Sequence, residues 1–287
     1  MTMNAMKTIF IAVLAAVGCG TLSAQDGTVE LRIVHTNDTH SCVVPVSPNY
    51  SDTAQADKGG FIRRAALVRD WRAADKDMLL FDSGDFSQGS AYYNIYKGEV
   101  EVSLMNEMRY DAATIGNHEF DFGLDNMARI YRMAQFPIVC ANYDVKGTVL
   151  EGLVKPYVVL ERKGVRIGVF GLGTQLEGMV AADNYKGVTY EDPVTAANRV
   201  TDLLKNKEHC DLIVCLSHLG WNIEGTDDTE LVPGSHHIDL VLGGHSHTYF
   251  EHPVVLKDAD GRNVYCNQMG KNGRYVGTLV LEMESVE

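Results

Sequence analysis

The chain has 287 residues, of which 45% are hydrophobic and 22% are charged, and its formal net charge is −13. This length allows one or two domains with a large hydrophobic core. The acidic balance argues against general nucleic-acid binding, because the phosphate backbone favours lysine and arginine. It does not exclude a small anionic substrate, since bound metal cations can supply a local positive field.

The N-terminal segment has the composition of an export signal. Lys7 precedes a short apolar run at 8–17, and small residues follow at the place where a signal peptide is cleaved. We predict a signal peptide at residues 1–24 and export to the periplasm or the extracellular space. Lipid anchoring through Cys19 is the alternative, although Ala16 stands where leucine is usual in a lipobox. We expect no transmembrane span, because no segment is both long and apolar enough.

Strand-like and helix-like segments alternate along the rest of the chain. Short runs of apolar or β-branched residues predict strands, and apolar residues at helical spacing predict helices. In chain order, the sequence predicts a strand at 29–35, a helix at 61–72, a strand at 78–81, a helix at 100–108, a strand at 112–115, a helix at 124–134, strands at 138–141 and 165–170, a helix at 193–206, and strands at 212–216, 238–242, 264–267 and 276–283. The polar segments 49–58 and 224–237 are predicted loops.

This alternation predicts an α/β fold in which much of the sheet is buried on both faces. The chain has no repeat, low-complexity tract or linker, so we predict one domain at 25–287. The cysteines of this domain are odd in number and form no CxxC cluster. They indicate neither a disulfide scaffold nor a metal site.

Five groups of potential metal ligands each follow a predicted strand. They are Asp38-Thr39-His40, Gly84-Asp85, Gly116-Asn117-His118-Glu119, Ser217-His218 and Gly243-Gly244-His245-Ser246-His247. Taken singly, an aspartate after a strand is commonly a helix cap or turn former, and a lone histidine is commonly a hydrogen-bonded loop residue. Five such groups at five strand ends favour one shared site, because ligands of α/β sheets bind just beyond the carboxyl ends of strands.

The residue types in these groups suit a pair of metal ions. Two cations about 3.5–4 Å apart can hold a phosphoryl group and lower the pKa of a bridging water. Such a pair needs a bridging carboxylate, for which Asp85 is the candidate. A mixed set of histidine, aspartate and asparagine suits zinc, manganese, iron or cobalt, and it suits calcium poorly. The sequence therefore predicts a phosphoesterase with two divalent metal ions.

The motifs Asp-x-His, Gly-Asp, Gly-Asn-His-Glu, a lone histidine and Gly-His-x-His, in this order, resemble the calcineurin-like metallophosphoesterases. More narrowly, His-Thr-Asn-Asp-Thr-His at 35–40 and Gly-Asn-His-Glu-Phe-Asp at 116–121 resemble the 5′-nucleotidase branch. The resemblance covers nearly all of the chain after the signal peptide. It implies a four-layer β-sandwich flanked by helices, with a dinuclear site at the carboxyl ends of the strands.

The resemblance also implies a role for each site residue. The first metal would be held by Asp38, His40, Asp85 and His247, and the second by Asp85, Asn117, His218 and His245. His118 would bind no metal but would stabilise the phosphoryl group and protonate the leaving oxygen. Asp121 would orient the His118 imidazole, and its alternative role is to cap the helix that follows.

The function implied is that of a secreted 5′-nucleotidase, which releases phosphate from nucleoside monophosphates by attack of a metal-bridging hydroxide. The same site could serve a 2′,3′-cyclic phosphodiesterase or a nucleotide-sugar hydrolase. Full-length 5′-nucleotidases of this type carry a C-terminal domain that contacts the base and the phosphate, and we expect this chain to correspond to the catalytic half. A separate chain carrying that domain is therefore a candidate partner. A non-catalytic nucleotide-binding module is the alternative of another class.

Several other residues are interpreted as structural. Glu119 need not touch either metal in this pattern, and the tyrosines near position 93 are interpreted as packing residues. His35 lies within the first strand and is expected to be buried and hydrogen-bonded. His236 and His237 precede a strand and are expected to be exposed in a loop.

Overall fold

A computed structural model describes residues 9–12 and 28–284. Cys19 and most of the predicted signal peptide lie outside these ranges. The strands are β1 (Ile9–Ala12), β2 (Thr28–Thr36), β3 (Leu79–Asp82), β4 (Ala112–Ala113), β5 (Ile138–Val139), β6 (Tyr143–Asp144), β7 (Val154–Lys155), β8 (Tyr157–Arg162), β9 (Val165–Gly173), β10 (Thr189–Tyr190), β11 (Leu212–His218), β12 (Leu240–Leu242), β13 (Val254–Lys257), β14 (Asn263–Asn267) and β15 (Gly277–Glu284). The helices are α1 (Phe61–Ala74), α2 (Ala91–Tyr96), α3 (Glu99–Met108), α4 (Gly123–Tyr131), α5 (Pro193–Asn206) and α6 (Asp228–Gly234).

The longer strands form two sheets. The first has the order β1-β15-β2-β3-β4-β5-β7, and the second has the order β13-β14-β12-β11-β9-β8. Strands β2, β3, β4, β5 and β7 run parallel to one another, as do β9, β11, β12 and β14. β15 lies antiparallel to β2, with Gly277 opposite His35. Parallel neighbours bring successive carboxyl ends to one end of each sheet.

The two sheets pack face to face around a common core. Ile33 and Phe81 of the first sheet belong to the same buried cluster as Val214 and Leu242 of the second. Because successive side chains of a strand point to opposite faces, Val34 points away from this core and packs with helices α1, α3 and α4. These helices cover the outer face of the first sheet.

Helices α5 and α6 cover the outer face of the second sheet. Cys215 and Val241 belong to a third buried cluster with Ala197 and Leu204 of α5 and with Leu231 of α6. The order of layers is therefore helix, sheet, sheet, helix. This arrangement confirms the predicted α/β four-layer sandwich, and its strands are indeed buried on both faces.

The prediction of a loop at 224–237 is wrong in part, because residues 228–234 form α6. The helix is short and contains Pro233, and Leu231 and Val232 are its buried apolar residues, so the sequence shows no clear helical period there. The Asp227 side chain caps it by accepting a hydrogen bond from the backbone N–H of Thr229 at 2.8 Å. The helices α1, α3, α4 and α5 confirm their predictions within a few residues.

The cysteines of the described residues are free, as the sequence indicates, and four of the five are buried. Among the helices at 61–234, none combines the length and the apolar character that a membrane crossing requires.

Candidate metal centre

The candidate ligands meet at one end of the sandwich. β2, β3 and β4 of the first sheet end there, as do β11 and β12 of the second. The candidate ligands that these strand ends carry are Asp38, His40, Asp85, Asn117, His218, His245 and His247. The sequence predicts convergence at strand ends, and the structure shows that both sheets contribute.

Asp38, His40 and His247 form the first cluster. The Nε2 atoms of His40 and His247 face each other at 2.9 Å. An oxygen of the fully buried Asp38 lies 3.5 Å from His247 Nε2 and 3.8 Å from His40 Nε2. Three potential donor atoms therefore surround one small volume.

Asp85, His218 and His245 form the second cluster. His218 Nε2 lies 3.2 Å from a carboxylate oxygen of Asp85. His218 Nδ1 donates to the carbonyl oxygen of Ser83 at 2.7 Å, and this hydrogen bond fixes the ring so that Nε2 points into the cluster. The imidazole thus has the orientation that a metal ligand needs. Burial alone would lower the pKa of His218, but the Asp85 carboxylate raises it to about 10, so Nε2 would give up a proton on binding a cation.

Asn117 completes the set beside the second cluster. The residue after it, His118, donates its backbone N–H to Asp85 Oδ1 at 2.9 Å. The side-chain oxygen of Asn117 is buried and has no hydrogen-bond partner within 28–284. A buried acceptor without a donor is destabilising by about 1–3 kcal/mol, and a bound cation would relieve this.

The charge states of the centre also fit cations. Burial lowers the pKa of His40, His245 and His247 to about 4, so these imidazoles are neutral at pH 7 and present lone pairs. Burial opposes the charge of Asp38 and raises its pKa to about 8. A carboxylate buried in this way needs positive charge beside it, which divalent ions would supply.

Five of the seven candidate ligands occupy the left-handed backbone region. The residues, with φ between 43° and 71°, are Asp38, His40, Asp85, His245 and His247. Such conformations are unfavourable for residues other than glycine and persist where surrounding contacts enforce them. Here the loops hold one another: Asp38 N–H donates to the Gly84 carbonyl, and His245 N–H donates to the Asp38 carboxylate, both at 2.9 Å.

Glycines next to the ligands allow this close packing. A Cβ atom on Gly116 would overlap Asp85 Oδ1, and one on Gly84 would lie 2.8 Å from His218 Nδ1. A Cβ atom on Gly244 would lie 3.1 Å from an Asp38 oxygen. The Gly-Asp, Gly-Asn-His and Gly-Gly-His motifs therefore need glycine because a ligand occupies the space where a side chain would be.

His118 and Asp121 form the pair that the sequence predicts. His118 Nδ1 lies 3.2 Å from both carboxylate oxygens of Asp121, and its ring centroid lies 5.6 Å from that of His40. Burial alone would lower the pKa of His118, but the Asp121 hydrogen bond and nearby carboxylates raise it overall. Helix α4 has Phe122 as its N-cap, so Asp121 does not cap that helix.

Glu119 is a functional residue that the sequence interpretation underrated. Its carboxylate is fully buried and accepts hydrogen bonds from the backbone N–H groups of Asp85, Gly116 and Ser87, and from the Ser87 hydroxyl. It thereby joins the loop of Asp85 to the loop of Asn117. Its place within Gly-Asn-His-Glu is the only sequence signal for this role, because nothing in the sequence indicates that the side chain points inward.

Of the three tyrosines interpreted as packing residues, Tyr93 is buried and its hydroxyl donates to the His118 carbonyl at 3.1 Å, whereas Tyr92 and Tyr96 are exposed. His35 is fully buried, as expected, but neither of its ring nitrogens has a hydrogen-bond partner among residues 28–284. His236 and His237 lie in the loop before β12, as expected, and their side chains are 42% and 28% exposed. His236 Nδ1 donates to the Asp260 carboxylate at 3.0 Å.

Comparisons with known proteins agree with this site. A model of the calcineurin-like phosphoesterase family matches residues 31–249. The chain is 33% identical to the snake venom 5′-nucleotidase of Crotalus adamanteus over 293 residues, which cover 94% of this chain and 48% of that protein. It is 34% identical to the crystal structure of a 5′-nucleotidase precursor from Thermus thermophilus, with a TM-score of 0.80 over 88% of this chain and 51% of that one.

The structure of the NAD nucleotidase of Haemophilus influenzae is also similar, with 26% identity and a TM-score of 0.78 over 89% of this chain and 53% of that one. The chain spans about half the length of these relatives. The sandwich, the two candidate metal clusters and the family match together define a calcineurin-like phosphoesterase, and the chain belongs to that family. Within the family, it is homologous to 5′-nucleotidases.

Proposed function

We propose that the chain is a metal-dependent phosphohydrolase that releases phosphate from nucleoside monophosphates. The observation that carries this proposal is the pair of donor clusters at the joined ends of the two sheets, with His118 at their border. The 5′-nucleotidase relatives support the nucleotide part of the proposal.

In this proposal the first cation is held by Asp38, His40, Asp85 and His247, and the second by Asp85, Asn117, His218 and His245. When bound, the two ions supply positive charge to the phosphoryl oxygens and activate water for attack. The buried, unpartnered oxygen of Asn117 and the inward Nε2 of His218 support this assignment. The metal identity is proposed only as zinc, manganese, iron or cobalt, from the mixed nitrogen and oxygen donors.

In this proposal the His118 side chain acts on the substrate, and the Asp121 side chain positions His118. The His118 ring is 31% exposed, so a substrate phosphoryl group can reach it. The Nδ1–H group donates to Asp121, so the Nε2 atom is left to face the substrate. A protonated Nε2 can stabilise negative charge on the phosphoryl group and donate its proton to the leaving oxygen. Asp121 holds the ring in place and favours its protonated form.

A nucleotide anhydride or nucleotide-sugar substrate is the second candidate. The likeness to an NAD nucleotidase favours it, because that relative's name specifies a dinucleotide. Two metals recognise phosphoryl oxygens and not the leaving group, so one site can serve either substrate class. Base recognition is proposed to come from a separate chain that carries a C-terminal substrate-binding domain.

We further propose that residues 1–24, which include the edge strand β1, are removed on export, so that β15 becomes the edge of the first sheet. The remaining domain at 25–287 would act in the periplasm or outside the cell. The charged and apolar start of the sequence supports this proposal.

Phosphate release measured on a substrate panel tests the function. The panel contains nucleoside monophosphates, 2′,3′-cyclic nucleotides, nucleotide sugars and NAD, each with and without a chelator and with and without any copurifying chain. We expect the fastest release from a nucleoside monophosphate, and loss of activity with the chelator that is reversed by added divalent metal. Activity that the chelator leaves unchanged would exclude the metal mechanism, and no activity with bound metal would favour a binding module.

A further inference from the structure

A cavity of about 500 Å³ lies beside the candidate metal centre and contains none of its proposed ligands. One wall is formed by Gly59, Gly60 and the residues of α1 up to Trp71, and another by the start of β15 with the preceding loop. Tyr249 and its neighbours, which follow the Gly-His-Ser-His motif, form the third wall. No part of the mechanism above uses this cavity.

Arg64 is the feature that indicates a ligand. It lines the cavity, yet the residue is only 4% exposed, and its guanidinium stacks on the Phe61 ring at 3.9 Å. Its Nε and Nη1 atoms are buried and have no hydrogen-bond partner within 28–284. Burial raises the pKa of the nearby Asp82 carboxyl and the charge of Arg64 helps to lower it, but Nε and Nη1 still lack an acceptor. Buried donors without acceptors are unfavourable, and a bound anion would supply those acceptors.

A second unpartnered polar group lies on the wall that β15 forms. The Thr278 hydroxyl is buried, lines the same cavity and has no hydrogen-bond partner among residues 28–284. A hydroxyl and a guanidinium can both donate hydrogen bonds to an oxyanion. Arg64 and Thr278 are thus two donors without acceptors around one space.

The charge around the cavity also favours an anion. Arg63, Arg64 and Arg274 line it against a single acidic residue, Glu251, although the whole chain carries a net charge of −13. Arg63 is paired with Asp57 at 2.8 Å, so Arg64 and Arg274 are the other cationic side chains of the lining. A positive site on an acidic protein indicates local selection for a negative ligand.

The start of α1 adds to this field. The helix has Gly60 as its N-cap, with no side-chain cap and no acidic residue in its first turn. The first turn of a helix carries partial positive charge on unpaired N–H groups, which side-chain carboxylates commonly neutralise. Here the Phe61 N–H donates to the Val43 carbonyl at 3.0 Å, but no carboxylate neutralises the first turn.

Aromatic rings form the outer part of the cavity. Tyr249 and Tyr275 stack with ring centroids 4.1 Å apart and planes inclined by 25°, and Tyr249 is 46% exposed. Trp71 lies on the α1 side. A flat apolar group attached to the anion would pack against these rings.

We infer that this cavity is a second binding site, separate from the metal centre, for a small oxyanion such as a phosphate or phosphonate, with room for an attached planar group. Arg64 and Thr278 bind the oxyanion, and the tyrosine pair contacts the ring. This inference does not depend on the proposed function, because it concerns binding and not hydrolysis.

The site is connected to the metal centre through the loop before β15. Gly273 packs against Arg64, and the neighbouring Asn272 N–H donates to the Asp38 carbonyl at 2.7 Å. Earlier in the same loop, Met269 N–H donates to Asn37, whose amide in turn donates to the Asp38 carboxylate at 2.6 Å. A molecule that binds in the cavity and fixes this loop would therefore also constrain the position of Asp38, a proposed metal ligand.

Calorimetric titration of the metal-loaded protein with inorganic phosphate and with phenylphosphonate, which has no hydrolysable ester bond, tests the inference. We expect two binding events in the wild type. Arg64→Met should weaken one event by about 10- to 100-fold, as for loss of a hydrogen-bonded charge, and Thr278→Val by about fivefold. Arg69→Met, on the exposed face of the same helix, is the matched control and should bind like the wild type.

A single event in the wild type, or identical titrations of Arg64→Met and Arg69→Met, would overturn the second site. If Arg64→Met does not fold, Thr278→Val and a crystal structure of the wild type with phenylphosphonate decide the question. The inference requires phosphonate density on Arg64, and density at the metal centre alone would contradict it. Loss of phosphate release with intact phosphonate binding at Arg64 would affect the proposed function alone.

Discussion

Single buried carboxylates decide the geometry of the metal centre. Both oxygens of Glu119 are occupied, one by the N–H groups of Asp85 and Gly116 and the other by the N–H and hydroxyl of Ser87. Glu119 binds no metal in the proposed arrangement. Its role is to hold the proposed bridging ligand Asp85 against the loop that carries Asn117.

Glu119→Gln should therefore reduce both metal affinity and phosphate release by about 10- to 100-fold, the range typical of groups that orient metal ligands. A glutamine would turn its NH₂ group toward N–H donors, and one loop would have to move. Metal content and kcat measured together test this, with the exposed Glu107→Gln on α3 as the control. An unchanged metal affinity would show that the loops keep their positions without the charge.

His118→Ala should lower kcat by about 10²- to 10⁴-fold while the metal content stays at the wild-type level, because the ring acts on the substrate and not on the metals. Asp121→Asn should have a smaller effect, since the ring remains but loses the carboxylate at 3.2 Å that orients it. Metal analysis beside steady-state kinetics checks both variants. Loss of metal in His118→Ala would identify His118 as a ligand instead.

At the scale of elements, the important feature is how tightly the strand-end loops approach one another. β3 and β4 are parallel neighbours, and the loops that follow them meet where Gly116 contacts Asp85. Gly116 has an ordinary backbone conformation, so its small size, and not its flexibility, is required there.

Gly116→Ala should displace the Asp85 carboxylate and lower activity by about 10²-fold, the usual effect of a displacement of about 1 Å in a catalytic group. Metal content should fall with it. Gly234→Ala is the matched control, because the atoms nearest to its new methyl are side-chain atoms of Val194, at 3.0 Å or more, and none belongs to a proposed ligand. Equal activities of the two variants would mean that the loops separate without loss of function.

At the scale of the whole molecule, the sandwich buries a titratable group that has no hydrogen-bond partner among residues 28–284. His35 of β2 lies opposite Gly277 of β15, and burial lowers the pKa of its imidazole from 6.5 to about 3. Between about pH 3 and pH 6.5, His35 therefore binds a proton in the unfolded chain but not in the folded chain. The free energy of unfolding should fall as the pH falls below about 6.5.

His35→Gln should make this fall shallower by up to about 1.4 kcal/mol per pH unit between pH 6 and pH 4, because one proton is no longer taken up on unfolding. Urea unfolding at several pH values measures the slope. The exposed His209→Gln should keep the wild-type slope. A His35→Gln slope equal to that of the wild type would mean that the histidine is protonated within the folded sheet.

The sequence by itself determined the features that depend on local order along the chain. Hydrophobic periods located the main helices and most of the parallel strands, and the motifs after those strands contain the six residues that form the two donor clusters. Parallel strands make this possible, because a residue just past a strand must lie at the same end as its counterparts. His118 and Asp121, three positions apart, were predictable for the same local reason.

Only the tertiary structure decided the features that depend on contacts distant in sequence. The division of the strands between two sheets, the inward direction of Glu119 and the unpartnered Arg64 all follow from packing between segments far apart in the chain. A charged residue in a sequence normally indicates a solvated surface, and burial is set by the neighbours that cover it. The sequence shows which side chains are present, whereas the fold decides which of them lose their water and must find another partner.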